Sequence, residues 1–561
     1  MEYIKKYYNL VALVLLSIIA IIPFFHSGFF PFHDDLQVQR VFEMGKVLQT
    51  GVFPVRWVPD LGYGLGYPLF NFYGPLPYYF GAIFNILGHT ALLSTKIMIA
   101  SGVITSGIAM YLFAKEIWGE NGGLVSGLLY VLAPYHALDI YVRGDIGEVW
   151  AYAFIPLVFF GIYKLYKYNK LRHLFIGSLG YFGVITSHNL SALMISPFIF
   201  LFSGILFFIT LKHKKNYYLL ALPIFGILLS SFYFLPAILE MGFTNVLSQV
   251  GGAADFRNHF VCFNQLWNSP WGFGGTAPGC IDGISFRLGK IHILLSAISF
   301  FLALVLYKKD KISSLIALIF SLFLGLSLFL TLDYSKFIWN SISLMSFLQY
   351  PWRFLLIASF FSSVLGGFFV SIIKIVFDNK KYNKYFEAVL VISVIILSVL
   401  LYAKLFAPQK YLDKTSNDYT NKKELNWTSS KRSDEYMPKD FIKPKSEKDT
   451  ETNKIITDGQ INVLNTKETV NGISFEVNSQ NNSEVLLRIP YFPSWNLFVD
   501  GKKVSYKAGS TGLTFNLPSG KSLVSVKFMT TNIEMIANII SLCSFAALFL
   551  GIIYARKKRA L

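Results

Sequence analysis

The sequence predicts a polytopic α-helical membrane protein of about twelve transmembrane helices, with a small extracytoplasmic β-domain inserted before the last helix. Three observations carry that reading. Hydrophobic residues make up 54% of the 561 and charged ones only 15%, with a mean hydropathy of +0.49, a balance expected of a lipid-immersed bundle and not of a soluble domain. Apolar runs near the ~20 residues needed to cross a bilayer recur along the chain. Lys and Arg gather in short clusters between these runs, as the positive-inside rule requires of cytoplasmic loops, so the net charge of +18 reflects topology and implies no nucleic-acid partner.

The predicted spans are 9–25, 92–114, 122–138, 149–166, 173–187, 191–211, 217–236, 291–307, 313–332, 354–376, 386–406 and 532–554. No small-residue cleavage site follows the first, which reads as a retained helix. Threading twelve spans from an inside N-terminus puts seven basic clusters on one face: Lys5-Lys6, Lys115, Lys164 to Arg172, Lys212 to Lys215, Lys308 to Lys311, Lys374 to Lys384, and Arg556 to Arg559. Both termini are then cytoplasmic in a multi-pass plasma-membrane protein. The outer face receives 26–91, 139–148, 188–189, 237–290, 333–353 and 407–531.

The first outer segment holds His33-Asp34-Asp35 directly after a hydrophobic helix. Carboxylates there must face water or a partner, because an unpaired charge buried in hydrocarbon costs several kcal/mol. Apolar residues at 38, 41, 42 and 48, with Gln37, Gln39, Arg40, Glu43 and Lys46 between them, predict a helix lying in the membrane interface. Gly51 ends it, and Gly-, Pro- and aromatic-rich backbone follows through Phe70. Pro75 and Pro77 introduce a second surface helix over 76–87, too short to cross.

This order of short first helix, acidic pair, surface helix, Gly-rich Pro-Leu-Phe segment and proline-led aromatic helix resembles the GT-C class of integral-membrane glycosyltransferases. Within it the chain is most similar to the bacterial and archaeal branch labelled as 6-pyruvoyl-tetrahydropterin synthase-related membrane proteins; no pterin chemistry is visible in the residues. The resemblance continues through Tyr141 to Glu148, Ser187-His188-Asn189 and Gln349-Tyr350-Pro351-Trp352-Arg353-Phe354. It implies a GT-C-like fold and transfer of a sugar, with inversion, from a polyprenyl-phosphate donor to a glycan, lipid or protein acceptor outside the membrane. It also implies an acceptor-activating acid at Asp34 or Asp35, and a second-loop acid at Glu148 or Asp145.

Such chemistry needs a carboxylate within reach of the attacking hydroxyl and positive charge where the phosphate leaves. Arg143 and Arg353 suit the phosphate, because guanidinium binds two oxygens and stays charged; the alternatives are an ion pair with Asp139 or Glu148 for Arg143 and a headgroup anchor for Arg353. His188, Asn189, Asp145 and Arg56 complete the expected lipid-phosphate or sugar contacts. His33, Asp34, Asp35 and Glu148 form a candidate metal set, whose oxygen-rich character suits Mg or Mn; enzymes of the class occur with and without such a metal.

Cys262 and Cys280 share the outer segment 237–290, where an oxidising compartment favours a disulfide over two free thiols. The chain thus divides into a membrane domain (1–406), an outer insert (407–531) and a last helix with basic tail (532–561). Within the insert, 413–454 is dense in Lys, Asp, Asn and Ser and reads as loosely held. Alternating runs at 474–477, 485–489, 497–499, 504–506, 513–515 and 523–528 read as strands, with Asp500-Gly501 as a two-residue hairpin turn. Two rival functions remain: a transporter or flippase of lipid-linked sugars, which would place ionisable groups at mid-membrane, and a non-catalytic envelope-assembly protein.

Overall fold

The structure is a computed structural model and describes residues 2–211, 216–372, 380–451, 453–457 and 461–560. Eight helices among them are long and apolar enough to cross a membrane, or nine if the pair Tyr218–Leu229 and Ser231–Leu239, bent by 66°, forms one span. This is fewer than the twelve expected, for two physical reasons. The expected spans 92–114 and 122–138 lie in one 53-residue helical run, Ala91–Arg143, which at ~1.5 Å per residue is far longer than a bilayer is thick. It turns at Gly119, whose φ of 80° only glycine adopts readily. Leu171–Ser187 and Lys290–Leu306 hold 17 residues each, about 25 Å of helix against a ~30 Å hydrocarbon core. The basic groups at 212–215 and 374 fall outside the described residues.

Helix Ile146–Tyr168 is the centre of the bundle, packing against Leu171–Ser187, Ala91–Val131 and Asn189–Thr210. Gly161 and Gly177 let two of these helices touch: a Cβ on Gly161 would lie 2.3 Å from the Gly177 Cα. Phe159, Phe113 and Phe360 interlock beside them, with Phe159 and Phe360 centroids 4.8 Å apart. Lipid tails are as apolar as these rings, so this packing stabilises mainly through dispersion.

The first loop does not lie loosely in the interface. Helix Gln37–Leu48 buries Gln37, Gln39, Arg40 and Glu43 together with its apolar face. Several of their polar groups find partners within the protein: Gln39 Nε2 donates to Ser429 Oγ at 3.1 Å, and Arg40 bonds Asp34. The covering layer is helix Leu76–Ile86 on one side and the insert on the other. The 413–451 part of the insert is accordingly packed, with Tyr419, Leu425, Tyr436 and Met437 buried, contrary to its polar composition. Its charges sit outward while a few large side chains anchor it.

Among the described residues nine strands follow: β1 (Ile455–Thr457), β2 (Ile461–Thr469), β3 (Gly472–Ser479), β4 (Ser483–Leu487), β5 (Trp495–Val499), β6 (Lys502–Val504), β7 (Lys507–Gly509), β8 (Gly512–Leu517) and β9 (Gly520–Phe528). They form two antiparallel sheets, ordered β1-β4-β8-β7 and β2-β3-β9-β5-β6. Period-two alternation buries Phe475 and Val477 of β3 with Val524 and Val526 of β9, and Val485 and Leu487 of β4 with Leu513 and Phe515 of β8. The Asp500-Gly501 turn closes β5 onto β6 with φ of 48° and 77°, as a type I′ turn requires. Of the expected strand 504–506 only Val504 is in a strand, at the end of β6, and Ser505 and Tyr506 lie between β6 and β7. Tyr506 falls between them because its hydroxyl turns to donate to Trp495 O at 2.8 Å. Trp57 of the first loop packs edge-on to Trp495, centroids 5.0 Å apart, and also meets Phe528. Cys262 and Cys280 are joined as a disulfide, and Cys543 is free and exposed.

Candidate functional site

A cavity of about 1150 Å³ lies where the first and second loops, the 237–290 and 333–353 segments and the insert converge. Its wall has two characters. One part is an apolar trough including Leu193, Phe200, Phe234, Ile238, Leu247 and Phe347; the other carries His33, Asp34, Tyr73, Arg143, Asp145, His188, Asn189, Arg353 and Glu435.

Backbone hydrogen bonds bring the loops together. His33 N donates to Val142 O at 3.0 Å and Asp34 N to Arg143 O at 2.9 Å. The chain then turns at Gly144 (φ 64°), where a Cβ would strike the Phe32 ring. Asp34 Oδ2 accepts three hydrogen bonds, from Arg40 Nη1 (2.6 Å), Tyr73 OH (2.8 Å) and Gln37 Nε2 (3.0 Å). Oδ1 takes none from the described residues, and the side chain is 31% exposed on the cavity wall. The carboxylate is therefore fixed by one oxygen and presented by the other.

Across the cavity lies a buried ion cluster. Glu148 Oε1 accepts Arg143 Nη2 (3.0 Å) and Arg353 Nη1 (2.5 Å), while Oε2 accepts Tyr135 OH (2.9 Å) and Arg143 Nη1 (2.8 Å). Asp145 Oδ2 accepts both guanidiniums, at 2.7 and 3.2 Å, and Oδ1 caps the Glu148 N–H at 3.1 Å. Asp139 also pairs with Arg143. Burial opposes ionisation of Asp145, but His188 when it carries a proton, together with Arg143 and Arg353, holds it well below the usual carboxylate range. Burial likewise lowers the His188 pKa against the pull of Asp145 and Glu148, so the guanidiniums are the permanent charges.

A family model for the 6-pyruvoyl-tetrahydropterin synthase related domain, described as a membrane protein, matches residues 70–408. The chain belongs to that family. A protein from Lactococcus lactis subsp. cremoris (strain MG1363), named only as uncharacterized, is 24% identical over 283 residues, 48% of this chain and 46% of the relative. The chain thus spans about half the length of the curated relative it matches. Among solved structures, the Archaeoglobus fulgidus oligosaccharyltransferase tethered with an acceptor peptide aligns at TM-score 0.45 and 13% identity, over 80% of this chain and 61% of that one. The arabinofuranosyltransferase AftD from Mycobacteria aligns at 0.45 and 12%, over 72% and 27%. Likeness of this degree decides neither reaction nor substrate.

In this 6-pyruvoyl-tetrahydropterin synthase-related protein the ion cluster lies inside the matched span, whereas Asp34 and Glu435 lie outside it. The expected metal set does not assemble. His33 Nε2 lies 3.2 Å from Phe273 O, and Asp35 turns away to Arg432 at 3.3 Å. Among the described residues the group whose ligand atoms come within 4.8 Å is Asp145, Glu148 and His188. The carboxylate atoms are already engaged. The Ser191 N–H donates to His188 Nδ1 at 3.2 Å, which puts the neutral ring's proton on Nε2, 3.9 Å from Asp145 Oδ1. Each Glu148 oxygen already has two donors. A Mg or Mn ion here would compete with the Arg143 and Arg353 guanidiniums for Glu148.

Arg56 is also placed differently from expectation. It is buried away from the cavity, donating to Asn71 (2.7 Å), Phe232 O (2.7 Å) and Asn538 (3.3 Å), with Glu534 at 3.5 Å. Asn71 and Thr531 both donate to Glu240; the network ties the first loop to the last helix. Arg143 makes the ion pairs that were its alternative reading. Arg353 keeps free donor capacity: its Nη2 has only Gln349 at 3.4 Å, and its Nε is buried without a partner. Asn189 lines the cavity beside His188. Gln37, Arg40, Tyr73 and Glu435 were missed as site residues; Gln37 and Arg40 sit one turn and two turns after Asp34, a detectable spacing, while Tyr73 and Glu435 give no local signal.

Asp35 predicts a pH dependence. Burial, opposed by Arg432 and Lys414 and reinforced by Glu424 and Asp34, raises its pKa from 3.8 to about 6. Between those values the folded state binds more protons than the unfolded chain, so stability should fall as pH rises through about 6. Unfolding midpoints in detergent from pH 4 to 7.5 should show this falling limb in the parent. Asp35→Asn should lack it and be the more stable protein at pH 7.5; identical profiles would remove Asp35 as its source.

Proposed function

We propose that the protein is a glycosyltransferase which moves a sugar from a polyprenyl-phosphate donor to a hydroxyl acceptor at the outer face of the plasma membrane, with inversion. One observation carries the reading: a carboxylate clamped through Oδ2 presents its free Oδ1 to a cavity that joins a polar wall to an apolar trough. The trough suits a lipid chain and the polar wall its headgroup. Asp34 Oδ1 takes the acceptor proton, the acceptor oxygen bonds the anomeric carbon, and the carbon–oxygen bond to phosphate breaks with its electron pair leaving on the lipid phosphate. Arg353 meets that charge with Nη2, while Asp145 and Glu148 hold Arg353 in place. His188 and Asn189 border the same wall. Counting the turned run as two spans, the bent pair as one and both 17-residue helices as crossing restores twelve spans with both termini inside.

Purified protein in lipid nanodiscs, given a polyprenyl-phosphate sugar and a mixed acceptor extract, should release polyprenyl phosphate at a rate unchanged by EDTA. Movement of intact donor between leaflets without release would make the protein a flippase instead. Loss of release in EDTA, restored by Mg or Mn, would show that the ion cluster opens to admit a metal.

A further inference from the structure

The acceptor end of the cavity is built by a segment beyond the family-matched span. Ser433 to Met437 approaches Asp34 from the insert and is held at several points: Arg432 to Asp35 at 3.3 Å, Tyr63 OH to Asp434 at 2.9 Å, and Asn245 N to Met437 O at 3.0 Å. Between these ties, Glu435 and Tyr436 line the cavity. Glu435 Oε1 accepts the Ser433 hydroxyl at 3.0 Å, which leaves Oε2 without a side-chain donor. The Tyr436 ring stands edge-on to Tyr73, centroids 6.5 Å apart, and is backed by Tyr67 at 5.6 Å. Tyr73 is the residue whose hydroxyl holds Asp34.

Resting on the transferase reading above, we infer that Glu435 and Tyr436 form the acceptor subsite and select an uncharged, hydroxyl-rich ring: a neutral sugar. Carboxyl oxygens beside a tyrosine ring match the hydroxyls and apolar C–H face of a pyranose. At that end of the cavity Asp34 and Glu435 disfavour an acceptor bearing carboxylate or phosphate, while Arg353 of the same polar wall serves the donor phosphate. An extended peptide would instead need unpaired backbone groups or a sheet edge, and this wall is made of side chains. Burial raises the Glu435 pKa, with Arg40 opposing it and Asp34 adding to it.

Saturation-transfer NMR on the full-length protein in nanodiscs tests this without knowledge of the donor, using methyl glucoside, methyl glucuronide and a serine tripeptide as probes. Methyl glucoside should show transfer from the protein, while methyl glucuronide and the tripeptide show none. Glu435→Gln, which keeps the Ser433 contact, should weaken methyl glucoside about tenfold, the loss expected for one charge-assisted hydrogen bond, and should admit methyl glucuronide. Tyr436→Phe, isosteric in the wall, reports that the ring packing is intact if methyl glucoside still binds. Binding of the tripeptide but not the glycoside, or a Glu435→Gln panel identical to the parent's, overturns the inference. Correct glycoside selectivity with no release of polyprenyl phosphate from any donor would sink the transferase reading and leave the sugar-binding wall standing; release with a peptide as the sole acceptor would do the reverse.

Discussion

Asp34→Asn should lower sugar transfer by about 10² to 10⁴, the contribution typical of general acid–base catalysis. The amide keeps the size of the side chain and one acceptor oxygen for Arg40 and Tyr73, but cannot take a proton from the acceptor at Oδ1. The structure adds a second consequence. Arg40, 3% exposed, has Asp34 as its carboxylate partner at 2.6 Å, so neutralising Asp34 should also cost about 1–3 kcal/mol of stability, the range for hydrogen bonds to charged groups. Rate and unfolding midpoint must therefore be measured on the same preparation. Asp35→Asn is the comparison, because Asp35 pairs with Arg432 outside the cavity and should retain most of the activity. Transfer by folded Asp34→Asn at the parent rate would end the case for Asp34 as the base.

Arg143→Met should be the most destabilising single change in the membrane domain, about 3–5 kcal/mol, as for a buried ion cluster that loses one partner. Arg143 bonds Asp139, Asp145 and Glu148 at once, and Asp139 and Glu148 have no solvent exposure. Methionine fills the space against Trp352, over which the guanidinium lies at 4.7 Å, but it leaves Asp145 and Glu148 to Arg353 alone and Asp139 without its cation. The expected result is a large drop in the unfolding midpoint in detergent, or failure to accumulate in the membrane. Arg353→Lys should be milder in stability, since one charge remains near Asp145 and Glu148, and should be felt mainly in turnover through loss of the second donor toward phosphate. A normal midpoint for Arg143→Met would mean that water or protonation replaces the guanidinium at little cost.

Much of the architecture follows from properties that are local along the chain. Whether 311–331 crosses a bilayer depends on a sum over consecutive side chains, so hydropathy finds it. Asp500-Gly501 makes a hairpin because those two residues tolerate positive φ, and Cys262 and Cys280 lie in one polar segment, close enough in sequence to meet. The order of motifs from His33 to Arg353 likewise marked the loops that converge on the cavity.

What the tertiary structure decided are partnerships across long separations. Asp34 and Asp35 are chemically identical neighbours in sequence. Tyr73, 39 residues on, clamps one at the cavity, while Arg432, 397 residues on, draws the other away. Arg56 had every attribute of a phosphate ligand until Asn71 and Asn538 took its donors. Glu43 and Gln39 on a polar-looking helix were expected to meet water, yet a segment from the insert covers them. A charge in a membrane protein goes where partners within the fold or water offset its burial. The sequence by itself therefore determined most of the long apolar helices and which loops carry charge; which charges pair, and which carboxylate oxygen is left without a donor, was decided by the fold.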